Sequence, residues 1–499
     1  DNTMKKLIYI IVAIATFAAT GCEDWLDINE SPNNPAEVPA ELVLPSAQTG
    51  LATRLGGNMF NWAGFFAQYW CQAVEANQYN AIDEYTIQNE FFNRDYNVIF
   101  SDALVDMENV RKQAEANEDW GNYLAATVLR AYTFQVLVDL MDQVPYSEAL
   151  QGAETPMPEW DDGKSVYQGL IQELDGALSQ ITSNSSIYSS DLIFNEEASA
   201  SAQMNQWIGF ANALKLKLYM RASYESSDYD QDIVDLIAED NFFSGDVTFD
   251  VFTDQAKKRN PWYETNTIGL GTVNNIATYP IITYLRSKSD PRLSGLYMQA
   301  PNVNDYAGNM PGWKSRPNAL TDDFSRPIIT PAQPVYLYTQ SELQLFIAEA
   351  ELRFNNDDAA AQAAYEAAID ANLKLHGLSV AGSDLYGAGQ PYEWNSGVSA
   401  ENKLEQIMLQ KWVCLCMVNH VEAWSEIRRT GYPAISPAEG EDIADDPGLY
   451  TPGSLIIPVV NALGDNLIQR LPFPEDATTL NDNAPDQVGN TTKIWWDKK

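Results

Sequence analysis

Apolar side chains recur every fourth position through long stretches of this chain, and that period limits the fold more than any other feature. Leu124, Val128, Tyr132, Val136 and Leu140 form one such row, and Val166, Leu170, Leu174 and Leu178 form a second in KSVYQGLIQELDGALSQI. Residues spaced by four share one face of an α-helix, so each row needs a partner face to bury against. The two rows predict an antiparallel helix pair. Similar patterns predict helices at about 58–75, 91–116, 203–224, 340–354, 357–376 and 401–428, the last stopped by Gly431 and Pro433. Strand patterns are sparse.

Between these blocks run long stretches rich in Pro, Gly, Asn and aromatics, at about 241–335, 377–400 and 433–499. Loops of this length in a globular chain are functional or are packed by their own side chains, so a binding site belongs there. Helices of 15 to 22 residues in pairs, including DDAAAQAAYEAAIDANLKLHG with its small and large residues alternating, predict stacking of the tetratricopeptide kind, without the full repeat signature. The expectation is a mainly α fold, one large domain of paired helices with a loop-rich elaborated half.

The N-terminus carries an export signal. Lys5 and Lys6 precede an apolar run from Leu7 to Ala19, 13 residues long and too short to span a bilayer as a helix. Met4 is the natural start. Ala19-Thr20-Gly21-Cys22 follows and resembles the lipobox of bacterial lipoproteins, which makes Cys22 the lipidated first residue after cleavage. An ordinary secretory signal with an incidental cysteine is the alternative. Residues 1–21 are thus read as signal, 22–48, with four prolines, as a tether that docks on the body, and 49–499 as the binding domain.

A net charge of −39 argues against nucleic acid and anionic headgroups as partners, since such a surface repels phosphate. Membrane attachment then rests on the lipid. Past the signal no run of 18 continuous apolar residues occurs. Cys71, Cys414 and Cys416 remain after Cys22; 414 and 416 do not face one another on a helix, and all three read as small buried hydrophobes. With His376 and His420 as the two histidines, zinc spacing is absent, no EF-hand loop appears, and no metal or cofactor is expected. Asp161-Asp162, Asp322-Asp323 and Asp357-Asp358 read as solvated loop or helix-capping residues rather than glycosidase pairs. No nucleophile elbow, phosphate loop or dinucleotide fingerprint is present, so no enzyme is expected.

Several segments together resemble the SusD/RagB-like nutrient-binding outer-membrane lipoproteins over nearly the whole chain. They are Trp25-Leu26-Asp27-Ile28-Asn29 with Ser31-Pro32-Asn33-Asn34-Pro35, Ala131-Tyr132-Thr133-Phe134-Gln135 running on to Val144-Pro145-Tyr146, then Gln410-Lys411-Trp412, Glu422-Ala423-Trp424, Arg428-Arg429-Thr430-Gly431 and Arg470-Leu471-Pro472-Phe473-Pro474. The resemblance implies tetratricopeptide-like helix pairs and a partner, a SusC-like TonB-dependent β-barrel transporter. On that barrel the lipoprotein would sit as a lid, facing the cell exterior, capturing an oligomeric nutrient and delivering it. Glu23, Asp24 and Asp27 resemble an export signal to the outer leaflet, or simply solvate a tether. Family members include oligosaccharide and oligopeptide binders, and a glycan is favoured here. A surface glycoside hydrolase and a scaffold without small ligand are the alternatives.

Of 13 Trp, 25 Tyr and 18 Phe, most must be core. Tyr132, Phe134, Trp207, Trp412 and Trp424 lie on apolar helices and are assigned to packing. Tyr79, Tyr85, Tyr306, Trp313, Tyr392 and Trp394 lie in polar loops and are the expected exposed ligand contacts, with pinning of their own loops as the other reading. Glu422 and Glu426 with Arg428 and Arg429 are spaced for ion pairs on a helix surface.

Overall fold

A computed structural model describes residues 38–499. The signal, Cys22 and the motifs up to Pro35 lie outside the described residues. Periodic apolar rows become α1 (Ala40–Arg54), α2 (Phe60–Phe66), α3 (Val105–Ala116), α4 (Trp120–Met141), α5 (Gly163–Ser179), α6 (Ala200–Ala222) and α7 (Asp230–Glu239). Further along come α8 (Tyr279–Ser287), α9 (Gln340–Ala350), α10 (Asp358–Leu375), α11 (Ala400–Leu415) and α12 (His420–Thr430). The predicted pair forms: α4 packs on α5, and α9 on α10. The fold is mainly helical and a single domain.

α4 is the centre of the frame. It is long and apolar enough to cross a membrane, yet it is buried on every side by α3, α5 and α6, which makes it a core helix. Its C-terminal carbonyls are held by two arginines: Arg428 Nη1 donates to Asp139 O at 2.7 Å, and Arg470 Nη2 donates to Met141 O. Cations suit that negative helix end. Leu471 N donates to Leu140 O at 2.8 Å, so the 470–474 segment lies extended against the body as its prolines predict.

Helix starts follow local chemistry. Asp162, Ser199, Thr339, Asp357, Ser399 and Asn419 each accept a first-turn N–H, and Gly431 closes α12 at φ 72°. Asp162 and Asp357 therefore cap, as expected of them. Three boundaries differ from the sequence reading, the first being the helix expected at 58–75, which ends at Phe66 and gives way to the strand Trp70–Gln72. The tether does not reach 48, because α1 begins at Ala40 and runs through Pro45 on the burial of Val43, Leu44, Ala47 and Leu51. The single helix expected at 401–428 is two: Met417 turns left-handed at φ 60°, and Asn419 restarts the chain as α12. With no Gly or Pro there, only Asn419 marks the break.

The ion pairs expected on the surface of α12 are in the core. Glu422, Glu426 and Arg429 are almost fully buried, and α6, α9 and α11 bring their partners. Arg221 Nη2 bonds Glu422 at 2.7 Å, Lys217 Nζ lies 2.6 Å from Glu342, Lys411 Nζ donates to Glu426 at 2.7 Å, and Arg429 bridges Glu426 and Glu349 at 2.7 and 2.5 Å. Burial alone would push the Glu426 carboxyl up; Arg429, Lys411 and Arg221 outweigh it and hold it well below the usual range. Four helices are thereby fixed in one arrangement. His420 is structural too. Burial lowers His420 to about 3, and its ring accepts the Met417 N–H at Nε2 while Nδ1 meets Phe60 O at 2.9 Å.

Strands are few, as expected: antiparallel ribbons pair β1 (Trp70–Gln72) with β5 (Asn275–Ala277), β2 (Gln143–Val144) with β3 (Asp161–Asp162), β4 (Val247–Phe249) with β8 (Val335–Tyr338), and β6 (Tyr297–Met298) with β7 (Arg326–Pro327). Cys71, Cys414 and Cys416 are free and buried.

Candidate functional site

One long irregular stretch is laced to the body by backbone hydrogen bonds. Residues 305–327 leave the β6 end and return as β7, and Asn309 exchanges bonds with the β5–α8 junction: its N–H donates to Ala277 O at 2.9 Å and its O accepts from Tyr279 N at 2.7 Å. Asn309 Nδ2 then donates to Trp313 O at 3.0 Å. Gly308 permits the close approach, since a Cβ there would lie 2.2 Å from Thr278 O. At Gly312, φ 68°, the chain turns onto Pro458–Val460. Buried Asp83 accepts the N–H of Gln72 at 3.1 Å and that of Gly312. Burial raises its carboxyl to about 7 against those two bonds.

Two clefts flank this segment. The larger, about 430 Å³, is lined by Tyr279, Arg316, Asn318, Asp323, Phe324 and Ile443 among others. The smaller, about 260 Å³, is lined by Asn266, Thr272, Asn274, Met298, Arg326 and Ile329 among others. Apolar and aromatic walls with a few amide, hydroxyl and charged groups are the usual make-up of a small-ligand site. Asp323 is already committed: its carboxylate accepts Asn302 Nδ2 and Leu320 N, both at 2.8 Å, which hold its pKa down. Met298, in the wall of the smaller cleft, is about half exposed, at 49%. No group of three or more His, Cys, Asp or Glu suited to a metal occurs among the described residues.

The six aromatics singled out from sequence divide. Tyr306 and Trp313 are half-buried within the 305–327 segment; neither lines either cleft, but the Trp313 ring lies 5.2 Å from the guanidinium of Arg316, which does. Tyr79 is buried, but its hydroxyl donates to Asn266 Oδ1 at 2.7 Å and so steadies the wall of the smaller cleft. Tyr85, Tyr392 and Trp394 are not exposed. Tyr85 packs on Phe66; Tyr392 donates to Asp290 at 2.7 Å; Trp394 donates to Asp358 at 3.2 Å and packs on Tyr365. Tyr392 thus ties the 377–400 loop to Asp290 beyond α8, and Trp394 ties it to the first residue of α10, because a Tyr or Trp whose polar tip finds a carboxylate is more stable inside. Sequence reasoning missed Arg316, Phe324, Asn266 and Asn274. A cation three residues past Trp313, in a chain with few cations, was the available signal.

A family model described as "Starch-binding associating with outer membrane", SusD-like, matches residues 32–448. The chain belongs to the SusD-like family. SusD-like proteins bind without catalysing, so this one is a nutrient-binding protein associated with the outer membrane and not an enzyme. The fold agrees with solved SusD-like structures. A SusD homolog from Bacteroides uniformis ATCC 8492 superposes with TM-score 0.71 at 20% identity, covering 92% of this chain and 99% of that one. A SusD homolog from Bacteroides vulgatus ATCC 8482 gives 0.70 at 19%, covering 92% and 97%. A chitin-binding SusD homolog from Flavobacterium johnsoniae gives 0.70 at 19%, covering 93% and 96%. No curated protein matches the chain significantly in sequence.

Proposed function

We propose that this protein is a lipoprotein, anchored through Cys22 to the outer membrane and facing outward, that captures an oligosaccharide and delivers it to a SusC-like TonB-dependent transporter. The family match over residues 32–448 carries the reading. The lipobox-like Ala19-Thr20-Gly21-Cys22 supports the anchor. The paired clefts beside the 305–327 segment support capture of an extended ligand, because the segment contributes a wall to each and both offer polar groups beside aromatic walls. That one structural relative is a chitin-binding protein adds weight to a glycan. Release into a pore requires modest affinity, micromolar or weaker, about −8 kcal/mol or less favourable. Calorimetry with glycan and peptide panels tests the capture step. Binding of an oligosaccharide that weakens at least tenfold in Trp313→Ala is expected; binding of peptides alone overturns the glycan reading. Detergent extraction from the native membrane is expected to bring down a β-barrel partner with protein acylated at Cys22.

A further inference from the structure

Among the described residues most arginines of this acidic chain are paired with carboxylates, and one that is not lines the larger cleft. Arginines at 54, 111, 130, 221, 259, 286, 292, 326, 353, 429 and 470 all have a carboxylate within 4 Å. Arg428 is satisfied by carbonyls at the end of α4, and Arg94 is on the open surface. Arg316 has no such partner among the described residues. It lines the larger cleft with its guanidinium 5.2 Å from the Trp313 ring and 5.7 Å from the Phe324 ring. Of its five N–H donors, the side-chain bond the structure gives runs to Asn309 Oδ1, at a long 3.4 Å. Two residues earlier Lys314 bonds the neutral amide oxygen of Asn77 and likewise meets no carboxylate. Asp323, in the same cleft, feels the Arg316 charge from beyond ion-pair distance, and its two oxygens are engaged by Asn302 and Leu320 instead.

A guanidinium held between two rings keeps its plane and its donors oriented, and a planar fork of donors matches a carboxylate. The surrounding charge of −39 repels polyanions and leaves this spot as the attractive one for a single negative group. We infer that the larger cleft selects oligosaccharides bearing a sugar carboxylate, with Arg316 as the residue that recognises it. This rests on the glycan reading above and adds a charge class to it.

Calorimetry on the intact mature chain tests the inference with matched pairs: trigalacturonate against its methyl ester, and sialyllactose against lactose. The acidic member of at least one pair is expected to bind ten times tighter or more than its neutral counterpart in low salt, with the gap narrowing as salt rises. Arg316→Gln is expected to reduce that gap to threefold or less with an unchanged melting temperature, and Arg316→Lys to keep part of it. Equal affinity within both pairs, or an undiminished gap in Arg316→Gln, overturns the inference while leaving sugar capture standing. A tetrapeptide with a free C-terminal carboxylate that binds tighter than every sugar overturns it in favour of peptide ends. Failure of these sugars and of neutral chitotetraose alike removes the glycan reading together with it.

Discussion

The junction of four helices and the larger cleft treat charge in opposite ways. Where α6, α9, α11 and α12 meet, Lys217, Arg221, Lys411 and Arg429 are matched to Glu342, Glu349, Glu422 and Glu426, all buried. In the 305–327 segment, Arg316 and Lys314 meet only neutral oxygens and rings. Buried pairs fix how helices pack and leave nothing for a ligand; an unmatched cation in a cleft costs little while hydrated and remains available. The contrast separates residues that hold the frame from residues that meet a nutrient.

The sharpest way to break it is in the core. Arg429→Met leaves Glu349 with Arg353 alone and Glu426 with Lys411 and Arg221, and urea unfolding is expected to show a loss of about 3 kcal/mol. Adding Glu349→Met should recover part of that, since the two residues share one contact. Loss below 1 kcal/mol would mean the cluster is hydrated and not fixed. Next in size is Gly308→Ala, whose new methyl would press on the Thr278 backbone at 2.2 Å. A destabilisation of about 1–3 kcal/mol is expected, with weakened ligand binding because the 305–327 segment is displaced.

Asp83→Asn probes the latch beneath that segment. A carboxyl raised to about 7 in the folded protein, mainly by burial, holds its proton more tightly than the unfolded chain does near 3.8. Its contribution is therefore fully present below pH 4 and is lost as pH rises through 7. Melting curves from pH 4 to 7 are expected to show a shallower fall in the Asn variant, a difference of about 1 kcal/mol or more across the window. The smallest change is expected for Trp394→Phe. Losing the bond to Asp358 should cost about 1 kcal/mol and leave ligand affinity untouched, since this ring pins a loop.

The frame was legible because helix chemistry is local. Rows at i+4 and Asp162 and Asp357 as caps depend on neighbours within a turn or two, and the burial of Trp207, Trp412 and Trp424 follows from the apolar helices that carry them. What failed was what depends on distant chain. Spacing put Glu422 and Glu426 on one face of α12 but could not say that Lys217 and Arg221, some 200 residues earlier, would cover it. Loop aromatics failed for the same reason: nothing near Tyr392 in sequence announces that Asp290 waits to accept its hydroxyl. Trp313 was visible as a loop aromatic, whereas Arg316 acquires meaning only once its lack of a carboxylate is seen.

Hydrogen–deuterium exchange with and without trigalacturonate, at a concentration that saturates binding, tests most directly whether the two regions divide frame from site. New protection is predicted in 266–329, with α9 to α12 and the 383–394 loop unchanged. Protection centred on those helices or that loop, or none in 266–329, would contradict the account.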